Sequence, residues 1–224
     1  MIEKTRGIVL QYLRYKESSI IVRIYTEEYG MQSFVVNGIR SQKSKRSIGN
    51  YQPFTLLEIL AYYHKGKDIH RMSDSKMLYS HQSISANVRK GSVVLFLSEV
   101  VSRLLYHESA ANRPLFQFLW DSIIFYDQLG EGFENFHLIF LVRLSRFVGF
   151  GIHNMGELVS HTPGADQETV FMLQKIVESD YQAVIQASGE MRYKGLLVLL
   201  NYYKHHVDYF GEIKSLKVLQ QVFH

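Results

Sequence analysis

The sequence predicts an α+β fold, with a five-stranded barrel or sandwich first and an all-helical region after it. Three observations carry this. Over the first eighty residues apolar side chains recur at the period of a pleated strand. Near Ser85 the apolar period lengthens to that of a helix. Strands and helices are segregated along the chain and do not alternate as βαβ units. The expected domains are residues 1–82 and 83–224, the second with an irregular excursion at 149–168.

The strand candidates are residues 7–13, 20–25, 32–39, 54–63 and 69–79, the last weakly patterned. In the second, Ile20, Val22 and Ile24 share one face, and Ile21, Arg23 and Tyr25 the other. Turn chemistry separates them at Tyr15-Lys16-Glu17-Ser18, Glu28-Tyr29-Gly30 and His64-Lys65-Gly66-Lys67. Five short strands suit a small antiparallel barrel or sandwich, and five is the strand count of an OB-fold.

Helical spacing follows. Val93, Leu97, Val100, Val101, Leu104 and Leu105 line one face of a helix, opposite Glu99, Ser102 and Arg103. Asn112-Arg113-Pro114 supplies a capping residue and a first-turn proline for the next helix. Residues 136–148 are apolar almost all round and predict a buried central helix, with further helices at 169–177, 194–203 and 215–223. Between them, Gly149, Gly151, Gly156, Pro163 and Gly164 break the pattern.

Composition removes several function classes. The 224 residues include no cysteine, which excludes disulfides, thiolate metal sites and cysteine nucleophiles. No secretory h-region follows Met1, and no apolar run reaches the roughly 20 residues of a membrane span, so a cytoplasmic protein with no membrane partner is expected. The ten histidines offer no His-Glu-x-x-His pair, and His205 and His206 point about 100° apart on a helix. Gly149-Phe150-Gly151 ends a helix, where a dinucleotide loop would have to follow a strand. Nucleophile-elbow and phosphate-loop motifs are missing. The expectation is a non-enzyme with no catalytic residues, metal or cofactor.

Charge gives the positive signal. Residues 1–85 carry thirteen Lys and Arg against seven Asp and Glu, a net of +6, whereas the rest carries −2. Four of these cations, Arg40, Lys43, Lys45 and Arg46, fall within seven residues of a Ser- and Gln-rich loop after Ser33-Phe34-Val35-Val36. Buried, each would lose its hydration without a matching anion. In water they present closely spaced positive charge to a polyanion, or form a solvated loop of no further use. Arg14 and Lys16 in the first hairpin, and Lys65 and Lys67 in the third, are further candidates for phosphate contact. Tyr15, Tyr29 and Tyr51 lie near turns among these cations and are the candidates for base stacking. Arg143 and Arg146, on the apolar central helix, suit pairing with carboxylates or helix ends better than contact with DNA.

Gly7-Ile8-Val9-Leu10, Tyr15-Lys16-Glu17-Ser18-Ser19, Tyr25-Thr26, Gly30, Val36-Asn37-Gly38-Ile39-Arg40-Ser41 and Gln52-Pro53-Phe54-Thr55 stand in the order and spacing of the RecO recombination-mediator family. The chain resembles that family over its N-terminal third, more loosely through Leu97-Ser98-Glu99-Val100 and Leu115-Phe116, and only faintly after residue 150. The resemblance implies an N-terminal OB-fold joined to a helical C-terminal domain. It implies a mediator that binds single- and double-stranded DNA, anneals strands, works with RecR, and contacts the acidic C-terminal tail of single-strand-binding protein while helping recombinase displace it. Some members carry a four-cysteine zinc site after the central helix; with no cysteine here, that metal is not carried over. The alternative reading is an OB-fold scaffold that binds acidic protein tails without touching DNA.

Overall fold

A computed structural model describes residues 2–41, 47–64, 66–162 and 164–223. Five strands, β1 (Ile2–Tyr15), β2 (Ser19–Thr26), β3 (Gly30–Val36), β4 (Leu56–Tyr62) and β5 (Ile69–Tyr79), close into a barrel in the order β1-β2-β3-β5-β4. All neighbours are antiparallel except β3 and β5, whose short parallel pairing completes the closure. This is an OB-fold barrel. Seven α-helices follow among the described residues: α1 (Val88–Leu104), α2 (Arg113–Gln128), α3 (Phe136–Phe147), α4 (Met155–Ser160), α5 (Gln167–Glu178), α6 (Gly189–His206) and α7 (Leu216–Phe223).

β1 serves two layers. Val9 pairs with Ile24 and points into the barrel, while Ile8 and Leu10 belong to the helical core. Register shifts between Val9 and Gln11, so Leu10 is the extra residue of a bulge. Beyond it Gln11 opposes Arg23 on the outer face, and Tyr12 turns back toward the barrel interior. The interior is closed by Val9, Ile20, Val22, Ile24, Phe34, Val36, Leu57, Ile59 and Met72. Tyr25, Met31, Phe54 and Leu56 leave the barrel on the other side and join the core of the helices, so barrel and helices share packed surface.

Polar contacts fix the same junction. Arg6 grips Glu27 through two hydrogen bonds of 2.8 and 2.7 Å and lies over the rings of Phe116 and Trp120. Arg113, beside the Asn112 cap, pairs with Glu28 at 2.9 Å. Met31 N–H donates to the Glu108 carbonyl at 2.7 Å. α3 is the buried central helix, with nine of its twelve residues buried. Residues 149–168 contain α4, capped by the Asn154 side chain. Among the described residues no helix is long and apolar enough to cross a membrane.

Candidate nucleic-acid interface

Four of the sequence candidates meet at one end of the barrel. β1 and β2 are joined by a tight turn, and Tyr15 opposes Ser19 at its base. Arg14, Tyr15 and Lys16 are exposed there. The segment leaving β3 folds back onto this turn: Arg40 N–H donates to the Ser18 carbonyl at 3.0 Å, and the Arg40 guanidinium approaches the Lys16 carbonyl at 3.5 Å. Arg14, Lys16 and Arg40 therefore form one cationic tip, with Glu17 the one acid in the turn. No carboxylate among the described residues pairs with any of the three. The Lys16 ammonium lies 5.3 Å from the centre of the Tyr15 ring, which is 38% exposed.

Lys16 holds φ at +50°, a left-handed conformation that a lysine adopts at a steric cost. Here a side chain stands where the backbone favours glycine. Such strain is tolerated where the residue contributes something the turn alone does not need.

Lys43, Lys45, Arg46 and Lys65 lie outside the described residues. The first three stand in the sequence between Ser41, next to Arg40, and Ser47, whose hydroxyl caps the short 3₁₀ turn Ile48–Tyr51. Lys67 is exposed in the β4–β5 turn, and the register puts it elsewhere. Ile69 pairs with Ser33 at the middle of β3 and the two strands run parallel, so Lys67, two residues before Ile69, lies toward the start of β3, whereas Arg40 follows its end. Lys67 thus sits at the opposite end of β3 from the tip. It lines a groove of about 290 Å³ with Val35, Tyr62, His64, Ile69 and Arg71. Arg71 is an exposed cation that sequence reasoning passed over, because β5 is weakly patterned; its alternation with His70 and Met72 was the available signal.

The three tyrosines separate in the same way. Tyr15 is at the tip. Tyr29 is at the far end, half-buried and stacked on Tyr63 at 4.1 Å, which in turn stacks on the buried His70 at 4.6 Å. The expectation that Tyr51 stacks on a base is corrected by its burial. It is 1% exposed, packs inside the barrel, and shares a 2.8 Å hydrogen bond with the Ser75 hydroxyl. Arg143 lies over the Tyr181 ring at 4.6 Å, on the helical side of the molecule.

His161, His205 and His206 gather at the end of α6, with His161 and His205 stacked at 3.9 Å between ring centres. Among the described residues no group of three or more His, Asp or Glu side chains has the geometry to hold a metal ion.

Comparison with known proteins agrees with this architecture. Residues 1–81 match the family model described as Recombination protein O N terminal, and residues 86–168 match Recombination protein O C terminal. The chain is 33% identical to a DNA repair protein RecO of Phocaeicola vulgatus and 32% identical to that of Bacteroides fragilis, in both cases over the whole of each protein. A RecO of Christiangramia forsetii is 30% identical over the same full span. The five-stranded barrel, the helical half and these full-length likenesses agree, and the chain belongs to the RecO family of DNA repair proteins.

Proposed function

We propose that the protein is a non-enzymatic recombination mediator that binds single- and double-stranded DNA through the basic end of its barrel and anneals complementary strands. It helps load recombinase onto strands coated by single-strand-binding protein, with RecR and the acidic tail of single-strand-binding protein as partners. The supporting observation is the tip itself: Arg14, Lys16 and Arg40 are exposed, adjacent and without carboxylate partners among the described residues. Lys43, Lys45 and Arg46 follow Arg40 closely in the sequence.

Annealing then has a simple physical basis. Two polyanionic strands repel, and a cationic surface that screens both lowers the cost of bringing their bases into register. No bond is made or broken, so the residues needed are cations and ring faces. Lys67 and Arg71 extend the positive surface along β3 and β5.

A salt titration of single-strand binding tests this. If Arg40, Lys43, Lys45 and Arg46 each neutralise one phosphate, replacing all four with Ala reduces the log–log salt slope by roughly 3. An unchanged slope would remove the loop from the interface. One observation favours the scaffold reading as a rival: Leu13 and Ile69, on the outer barrel surface, are 57% and 45% exposed and neutralise nothing. Under that reading an acidic peptide, and not single-stranded DNA, competes for the basic end.

A further inference from the structure

Between the outer face of the β1–β2 hairpin and the C-terminal half of α1 runs an open groove of about 770 Å³. Gln11 and Arg23 line it from the barrel, Arg103 and Tyr106 from α1 and its end, and Lys214 from the segment before α7. Arg23 is half-buried, and its guanidinium sits 4.3 Å from the centre of the Tyr106 ring. No carboxylate among the described residues pairs with it. Loss of water around Arg23 depresses its pKa, the mark of a cation that the fold has desolvated without compensating.

Two acids lie nearby. Glu99 lines the groove and pairs with Arg103 at 3.9 Å, while its oxygens also accept Lys214 N–H, Ser215 N–H and the Ser215 hydroxyl at 3.0, 2.8 and 2.6 Å. Of the two arginines, Arg23 is the one without a carboxylate partner among the described residues. Glu108 accepts from Ala110 N–H at 3.4 Å.

Aromatic rings complete the patch. Tyr106 meets His107 edge-on at 4.8 Å, and His107 meets Tyr209 in the same way at 4.8 Å. Tyr106 is 54% and Tyr209 49% exposed, so large ring surfaces stay in water beside Arg23, which pairs with no carboxylate among the described residues. Grooves that hold single-stranded nucleic acid combine these two features, because a cation takes the phosphate and a ring takes the base.

We propose that this patch is a second contact for single-stranded DNA, in which Arg23 and Arg103 hold a backbone phosphate while Tyr106 and Tyr209 stack unpaired bases. It deepens, and rests on, the reading of the chain as a DNA-binding mediator. The strand register supports a shared path. Arg23 is four residues along β2 from Ser19, whose partner Tyr15 stands at the cationic tip. Four residues of strand cover roughly 14 Å, so a strand of a few nucleotides reaches both. The patch also creates a preference: a duplex keeps its bases stacked inside and offers none to Tyr106.

The test measures full-length protein against fluorescent oligothymidine, an abasic oligomer of equal length, and a duplex. Tyr106→Ala with Tyr209→Ala is expected to weaken oligothymidine binding about tenfold and to leave the abasic oligomer and the duplex unchanged. Tyr106→Phe with Tyr209→Phe restores binding, since stacking needs the ring and not the hydroxyl. Arg23→Gln weakens both single strands and lowers the salt slope by about 0.7. Matching thermal midpoints show that these half-exposed sites leave the fold intact.

Oligothymidine binding by the Ala pair within about twofold of wild type overturns the proposal, as does an equal loss on the abasic oligomer. Binding of an acidic peptide that depends on Tyr106, with no effect on oligothymidine, overturns it in favour of a protein partner. A triple variant, Arg14→Gln, Lys16→Gln and Arg40→Gln, judges the parent reading separately. If that variant keeps wild-type affinity, the tip is not the DNA site, whatever the Tyr pair shows.

Discussion

Lys90 and Asp127 clamp the junction between barrel and helices from two sides. The Lys90 ammonium, 1% exposed on α1, donates to the carbonyls of Tyr126 at 3.0 Å, Asp127 at 3.3 Å and Leu129, all at the C-terminal end of α2. The Asp127 carboxylate accepts the N–H groups of Gln82, Ser83 and Ile84 and the Tyr79 hydroxyl, at 2.8 to 2.9 Å. Burial pushes the Asp127 carboxyl up, but these donors outweigh it and hold the group below the usual carboxylate range. Asp127→Ala would leave four donors without their acceptor, and the expected loss is about 3 to 5 kcal/mol in denaturant unfolding. Lys90→Met, which keeps the packing of the side-chain stem and strands only carbonyls, is expected to cost less, about 2 kcal/mol.

Gly30 meets the helical half through its backbone. Its φ is +62°, and a Cβ there would fall 2.5 Å from the Ala110 carbonyl oxygen and 2.6 Å from that of Glu108. Neither is a flexible side-chain end. Gly30→Ala therefore combines left-handed strain with a backbone clash, and is expected to cost about 2 to 4 kcal/mol. The same substitution at Gly38, with φ at +67° and nothing within 4 Å of a Cβ, is expected to cost about 1 kcal/mol. Paired thermal melts check the ranking; equal losses would show that the contact with the Glu108 segment contributes nothing.

This contrast marks what the sequence makes legible. Gly30 reads as a turn residue in Glu28-Tyr29-Gly30, but its second reason, a segment nearly eighty residues away, leaves no local trace. The strand period locates β2 closely, and the Asn112-Arg113-Pro114 cap opens α2 as expected. The start of β1 is missed because Glu3, Lys4 and Arg6 break the apolar pattern. Lys4 pairs with Glu58 on the next strand, and Arg6 with Glu27. Lys90 reads as an ordinary helix cation, because its carbonyl acceptors lie 36 to 39 residues on. The candidate site shows the same limit. Arg14, Lys16 and Arg40 are readable as turn cations, whereas Arg23 and Tyr106 acquire meaning only when the segment after α1 comes against the β1–β2 hairpin.

Tyr51 separates core from interface. Tyr51→Phe removes the bond to Ser75 and keeps the ring, so a stability loss of about 1 kcal/mol is expected with single-strand affinity unchanged. A weakened affinity at unchanged stability would return Tyr51 to the binding surface.

Lys16 is expected to behave in the opposite way. With φ at +50°, Lys16→Gly relieves local strain, and stability is expected to stay level or rise by up to about 1 kcal/mol. The same change removes one phosphate contact, so the salt slope for single-strand binding is expected to fall by about 0.7. Lower stability with an unaltered slope would make Lys16 a structural residue and weaken the case for the tip.

His137 gives the fold a pH dependence of known sign. Its ring is 3% exposed beneath Phe96 and Phe223, and burial first, then the nearby Arg192, push it down to about 3. In the unfolded chain the group titrates near 6.5. Above that value both states are neutral and the contribution to stability is complete. As pH falls from about 6.5 toward 3, the unfolded chain binds a proton that the native state refuses, and stability drops by about 1.4 kcal/mol per unit. Between pH 7 and pH 5 the expected loss from this group is about 2 kcal/mol. His137→Leu removes the group, so its unfolding free energy is expected to fall less than that of wild type over the same interval. Urea titrations at the two pH values decide it, and parallel losses in both proteins would mean that His137 takes up its proton at the same pH in the native and the unfolded states.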